Sequence, residues 1–125
     1  MSASPHVISW FEIPVTNFAR AKAFYESVLG VTIEPMVMGP TTMGFLSTDP
    51  DAVSGAIVHG GDEAPSKQGT VIYLNGGDNL APILARVVPA GGSVAVPKTE
   101  IGNDFGHFAH FIDTEGNKVG LHSMG

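Results

Sequence analysis

Four side chains that can exchange a proton lie on or beside short apolar segments of this 125-residue chain: Glu12, His59, His110 and His122. Imidazole titrates near neutral pH, and an apolar setting raises the pKa of a carboxylate, so both groups can act as acid or base. On this ground we assign Glu12 and His110 as candidate catalytic residues. Because the chain has no cysteine, disulfides, thiolate metal sites and a cysteine nucleophile are excluded.

A hairpin near the C-terminus predicts which of these side chains share one face of a sheet. Residues 113–116 (Asp-Thr-Glu-Gly) are typical of a type I turn that ends in a positive-φ glycine, giving a three-residue hairpin with a bulge. In this register the apolar residues face the core, and His110 and His122 lie on the opposite face. A pairing slipped by one residue would place His110 in the core, but the positive φ suited to Gly116 favours the bulged register.

The face that carries the two histidines has the composition of a cleft wall. It also carries Phe108, Ile112 and the bare Gly120, where a solvated face would more often carry Lys, Glu and Thr. Strand alternation adds Trp10 and Tyr73 from other strands, and a mixture of rings with few polar groups suits a small organic ligand. The candidate ligand-binding residues are Trp10, His59, Tyr73, Phe108, His110, Gly120 and His122.

The elements that must position these residues occur twice in the same order: strand, helix, and three strands. Asn17 and Asp78 are candidate helix caps, and each precedes a closing glycine by 13 residues. Such an internal repeat is a strong indication of architecture. The predicted strands are 8–15, 31–34, 42–48, 54–59, 70–75, 93–97, 105–112 and 118–123, and the predicted helices are 17–30 and 78–90.

The fold class is therefore α+β, with two βαβββ repeats that form a paired, half-barrel-like mixed sheet around a concave cleft, with the helices outside. We expect one domain over 1–125, in which repeat one spans about 7–59, a polar linker spans 60–69, and repeat two spans about 70–123. Loop 102–104 (Gly-Asn-Asp) could lie across the mouth of the cleft as a lid.

Composition excludes several classes of function. The chain is 43% hydrophobic and 14% charged, which is typical of a compact globular protein. A net charge of -6 with six scattered Lys and Arg residues argues against nucleic-acid binding. We predict no membrane span, since no apolar run approaches the ~20 residues that a span needs. With no recognisable secretory signal, we expect a cytoplasmic protein.

Two segments resemble the vicinal oxygen chelate superfamily, which includes glyoxalase I, extradiol dioxygenases, and the fosfomycin and bleomycin resistance proteins. FEIPVTNFARAKAFYESVLG is similar to its first strand and helix. FIDTEGNKVGLHS is similar to its closing hairpin, with Thr114 in place of the usual proline. The resemblance covers nearly the whole chain, and it implies the fold just described and a homodimer.

Members of that superfamily usually hold one divalent ion with His, Gln or Glu from the first, fourth, fifth and eighth strands. Carried over to this sequence, three of these positions fall on Trp10, Val71 and Gly120. If the gap in the alignment of the two repeats is placed differently, Thr70 or Ile72 takes the position of Val71. None of these side chains is a normal ligand for such an ion. Only His59 fits the fourth-strand position. We therefore expect no metal and no cofactor, while a displaced site built from His59, His110 and His122 stays open.

The resemblance leaves three functions open. The first is a metal-independent protein of the bleomycin-resistance type, which binds a small organic ligand between aromatic walls. The second is a glyoxalase-related lyase or isomerase that uses Glu12 or His110 as acid or base. The third is a non-catalytic regulatory or structural dimer. His110 also matches the position of a tyrosine that helps to form the site in fosfomycin resistance relatives.

Overall fold

The computed structural model describes residues 7–125, which form eight strands and two helices in the order βαβββ-βαβββ. The elements are β1 (Trp10–Pro14), α1 (Phe18–Leu29), β2 (Pro35–Met38), β3 (Thr41–Phe45), β4 (Ser54–His59), β5 (Tyr73–Asn75), α2 (Ala81–Val87), β6 (Ser93–Glu100), β7 (His107–Ile112) and β8 (Lys118–Ser123). Neither helix of the described segment is long and apolar enough to cross a bilayer.

Each βαβββ module forms its own four-stranded mixed sheet. The strand orders are β1-β4-β3-β2 and β5-β8-β7-β6. In each module the first strand pairs in parallel with the last, and the other neighbours are antiparallel. The predicted α+β fold with two such repeats is confirmed. The strands β1 and β5 hold the same edge position in their sheets.

The first helix begins and ends where its sequence predicts. Asn17 is extended and its side-chain oxygen accepts a hydrogen bond of 3.0 Å from the Arg20 amide, while Gly30 closes the helix. Apolar residues three and four positions apart form one stripe. The buried members of that stripe are Ala21, Phe24, Tyr25 and Val28.

The two modules share one hydrophobic core. From α1, the rings of Phe24 and Tyr25 pack against Phe111 on β7, with ring centroids 5.7 and 6.3 Å apart. Ile57 of the first sheet and Leu121 of the second are fully buried in the same cluster. The core therefore lies on the helix-facing side of both sheets, and the opposite faces are left to form surface depressions.

Two strands differ from the prediction. One lies elsewhere in the chain, and the other is longer. The predicted strand 31–34 is an extended connection, in which the Ile33 amide donates to the Glu26 carboxylate at 2.8 Å. The second strand is instead β2, which pairs with β3 across the two-residue turn Gly39-Pro40. The sixth strand continues past Pro97 to Glu100 through two register irregularities, because bulges let the chain keep pairing where a regular ladder fails.

The start of the second helix also differs from the prediction. Asp78 is not its cap, and the helix begins at Ala81 with Leu80 in the N-cap position. Asn79 takes part of the capping role because its side-chain oxygen accepts from the Ala81 amide at 2.9 Å. The fifth strand is likewise shorter than predicted and begins only at Tyr73.

Candidate functional site

The C-terminal hairpin has the predicted bulged register. The Asp113 amide donates to the Asn117 carbonyl at 2.9 Å, and Gly116 has a φ of 91°. His110 consequently lies opposite Gly120. Phe108 lies opposite His122 in the same way, so these four residues share the face of the sheet away from the core.

A cluster of three rings stands on this face. The Tyr73 hydroxyl and His110 Nε2 lie 2.8 Å apart and share a hydrogen bond whose direction depends on the imidazole tautomer. The ring centroids of Tyr73 and His110 are 5.4 Å apart, and those of Phe108 and His110 are 5.5 Å apart. Strands β5 and β7 are both neighbours of β8, and this arrangement brings together rings that are distant in sequence.

Gly120 lets the Tyr73 ring lie directly over β8. The two residues are paired across the parallel β5–β8 ladder. A Cβ atom added at Gly120 would clash with Tyr73 Cδ2, far inside van der Waals contact. Gly120 is therefore the close-approach position that allows Tyr73 to reach His110.

The environment of His110 favours its neutral form. Burial is the larger cause that lowers the pKa of His110 below 6.5, and the positive charge of Lys118 is the second. A neutral imidazole keeps one nitrogen lone pair. His110 can therefore accept a hydrogen bond or a proton near neutral pH.

Trp10 and Glu12 form a second group, on the first sheet. Trp10 Nε1 donates to Glu12 Oε2 at 3.3 Å, and the indole meets Phe45 edge to face with 5.4 Å between ring centroids. Glu12 is exposed and borders a depression of about 390 Å³ that also includes Lys118. That depression does not include His110, so the structure does not bring the two candidate catalytic residues together in one pocket.

A cavity lies between the two modules. It has a volume of about 710 Å³, and Trp10 on β1 and Tyr73 on β5 both border it. The end of α1 and the first turn of α2 close it through Leu29 and Ile83. The other lining residues are Ile8, Phe11, Val31, Leu46, Ser47, Val53, Ser54, Thr70, Val71, Ile72, Leu74 and Asn75.

Most of these lining residues were not among the sequence candidates. Strand alternation identified Trp10 and Tyr73, but it describes a single sheet and carries no information on how two edge strands approach each other. A further depression, of about 500 Å³, is bordered by Tyr73, Ile101, Phe108 and His122. Ile101 is the one residue missed there, and its position beside the proposed lid loop 102–104 was the signal that could have found it.

The histidines do not converge on a common point. His59 is exposed, and the register of β4 places it on the face that carries Ile57, opposite to the face of Glu12. His122 Nε2 donates to the Phe105 carbonyl at 2.7 Å, so this nitrogen has no lone pair to offer a metal ion. Within residues 7–125, no group of three or more His, Asp or Glu side chains is placed to hold a metal ion.

Residues 7–121 match the family described as Glyoxalase/Bleomycin resistance protein/Dioxygenase superfamily. A protein named "Putative glyoxylase CFP32", from Mycobacterium tuberculosis, is 30% identical over 118 residues. The match includes 90% of this chain and 44% of that protein, so the chain spans less than half the length of its curated relative.

Solved structures share the fold at lower identity. A glyoxalase I mutant from Zea mays superposes with a TM-score of 0.73 at 18% identity, over 99% of this chain and 48% of that one. TnmS3, an antibiotic binding protein from a Streptomyces species, superposes with a TM-score of 0.66 at 21% identity, over 98% of both chains. With a family match over nearly its whole length, the chain belongs to the glyoxalase, bleomycin resistance protein and dioxygenase superfamily.

Proposed function

We propose that this protein binds a small, largely apolar organic molecule with a planar ring in the cavity between β1 and β5. The observation that carries the proposal is the volume of about 710 Å³ bordered by Trp10 on one module and Tyr73 on the other. This volume lies in the range of ligand pockets in proteins, which are mostly apolar with a few polar groups.

The lining of the cavity supports an aromatic ligand. Trp10 and Tyr73 are 42% and 51% exposed, so each ring has a surface that a ligand would cover. Aromatic stacking adds about 0.5–1.5 kcal/mol to the effect of buried area. Among residues 7–125, no Asp, Glu, Lys, Arg or His borders the cavity, which favours a neutral ligand because a charged one would lose hydration without gaining an ion pair.

One structural relative gives a practical choice of ligands for a screen. TnmS3 is an antibiotic binding protein, and at 21% identity this likeness by itself concerns the fold alone. Polycyclic aromatic antibiotics nevertheless have the planar, weakly polar character that the cavity lining favours, and they are the first class to test.

Trp10 provides the test, because it is the only tryptophan in the chain and it lines the cavity. We expect a binding antibiotic to change the Trp10 emission and to raise the melting temperature, since ligand at 100 times its Kd adds about 2.7 kcal/mol of stability. Tyr73→Ala should weaken binding about tenfold. Val37→Ala, at an exposed position on β2 and at the opposite edge of the sheet from β1, is the matched control.

Two results would contradict binding at this site. One is the absence of any emission change or stabilisation across neutral aromatic compounds. The other is equal loss of affinity in Tyr73→Ala and Val37→Ala, because a ligand between β1 and β5 must contact the first residue and not the second.

A second candidate function is acid–base catalysis on a carbon acid beside a carbonyl, as in a lyase or isomerase. It is favoured by the 2.8 Å contact between Tyr73 and His110 together with the lowered pKa of His110. In this reaction His110 would take the proton, and the Tyr73 hydroxyl would donate to the carbonyl oxygen. The test is exchange of the dihydroxyacetone carbon-bound protons with D2O, followed by NMR, which should be lost in His110→Ala.

A further inference from the structure

Tyr73 stands between two depressions of the surface. Tyr73 borders the cavity between β1 and β5. It also borders the depression of about 500 Å³ that Ile101, Phe108 and His122 line. Among residues 7–125, it is the one residue that borders both. Tyr73 therefore marks the place where the two spaces adjoin.

We propose that the ligand site continues past Tyr73 into this second depression, and that the Tyr73 ring is the gate between them. This extension rests on the proposed function and adds the class of ligand to it. The ligand has two aromatic groups joined by a short linker that carries a hydrogen-bond donor. One group lies beside Trp10, and the other lies beside Ile101 and Phe108.

The contacts of Tyr73 are those of a ring that can move. It is half exposed, and its hydroxyl is held by the hydrogen bond to His110. The ring lies over the backbone of Gly120 and beside the His110 ring. Rotation toward solvent therefore breaks one exposed hydrogen bond and requires no movement of the core.

The second depression has the chemistry of an aromatic subsite with one acceptor. Ile101 and Phe108 supply apolar walls, and the Nε2 of His122 is already engaged with the Phe105 carbonyl. When Tyr73 moves aside, His110 Nε2 loses its partner. A linker N–H of the ligand can then replace the Tyr73 hydroxyl on that nitrogen, which avoids an unsatisfied polar atom.

Two neutral probes separate the proposed subsites. N-phenyl-1-naphthylamine has two aromatic groups joined by an N–H, and 1-naphthylamine lacks the phenyl group. Binding of both is measured by quenching of Trp10 emission. We expect Ile101→Ala to weaken N-phenyl-1-naphthylamine at least fivefold and to change 1-naphthylamine by less than twofold, with Val37→Ala as the control for both.

Gly120→Ala tests the gate itself. The new methyl group would meet Tyr73 Cδ2 and push the ring away from β8, while Gly120 has no positive φ that would strain an alanine. We expect the affinity ratio of N-phenyl-1-naphthylamine to 1-naphthylamine to rise at least threefold. Circular dichroism checks that Gly120→Ala is folded. If Gly120→Ala does not fold, Ile101→Ala still tests the second subsite, because Ile101 is half exposed and lies outside the core.

The outcomes distinguish the two proposals. If both probes bind but Ile101→Ala weakens them equally or not at all, the second subsite is wrong and the proposed cavity stands. If the probes bind and Gly120→Ala, while folded, leaves their ratio unchanged, Tyr73 is not a gate. If neither probe changes the Trp10 emission or the melting temperature, aromatic binding itself is contradicted, and the gate falls with it.

Discussion

Two features of the surroundings of His110 lower the pKa of its imidazole. Burial is the larger, and the charge of Lys118 is the smaller. Since the folded pKa lies below the unfolded value of about 6.5, the unfolded state binds the proton more readily. The free energy of unfolding therefore falls as the pH decreases from 6.5 through the folded pKa.

Removing the charge of Lys118 isolates the smaller of the two causes that lower the pKa of His110. We expect Lys118→Met to raise the pKa of His110 toward 6.5 without reaching it, because burial remains. NMR titration of the His110 ring protons measures this shift. Lys22→Met is the matched control, since Lys22 lies on α1 and pairs with Glu26 at 3.1 Å. An unchanged or lower pKa of His110 in Lys118→Met would contradict the assignment.

At the scale of elements, Glu115 joins the turn of the C-terminal hairpin to the start of α1. Its carboxylate accepts from the amides of Thr16 and Asn17 at 2.9 and 2.8 Å, and from Arg20 Nε at 2.7 Å. The Glu115 side chain is fully buried, whereas Arg20 is half exposed. Despite burial, which acts the other way, these donors lower the pKa of Glu115 to about 2.

We expect Glu115→Gln to lower the free energy of unfolding by roughly 2–3 kcal/mol, since the ion pair and part of the acceptor capacity are lost. The depressed pKa stabilises the wild type above pH 4.5, and this contribution is lost as the pH falls toward 2. Urea titrations at pH 7 and pH 3 measure both effects. The difference in the free energy of unfolding between wild type and Glu115→Gln should be smaller at pH 3 than at pH 7. Glu34→Gln, at an exposed position, should change neither this free energy nor its pH dependence.

At the scale of the whole molecule, the helix of the first module supplies much of the core of the second. Phe24 is almost fully buried, and it packs against Tyr25 and Phe111. Its ring also covers Gly92, at the start of β6. Because the buried residues of both modules form one cluster, neither module should keep its structure when the other is lost.

Phe24→Ala should destabilise the protein by about 3–5 kcal/mol. We expect circular dichroism, which reports both modules, and Trp10 emission, which reports the first, to follow one transition in wild type and variant. Phe105→Ala, at a position that is 62% exposed, should change stability by less than about 0.5 kcal/mol. Separate transitions for the two signals would contradict a shared core.

The homodimer and the cytoplasmic location stay predictions.

The amino-acid sequence by itself determined features whose causes lie within a few residues or within one regular period. The turn at 113–116 set the hairpin register, and with it the shared face of His110 and His122. The cap at Asn17 and the apolar stripe set α1. The repeated order of elements gave the two modules, because each local signal there agrees with the overall fold.

Tertiary structure alone decided where distant residues meet. The cavity forms between two edge strands, and its walls come from segments that no periodicity relates. It also decided that the depressions bordered by Glu12 do not include His110, and that β2 begins after the Glu26 contact to Ile33. These outcomes depend on packing between elements far apart in the chain, whereas alternation and turn chemistry act only between neighbours.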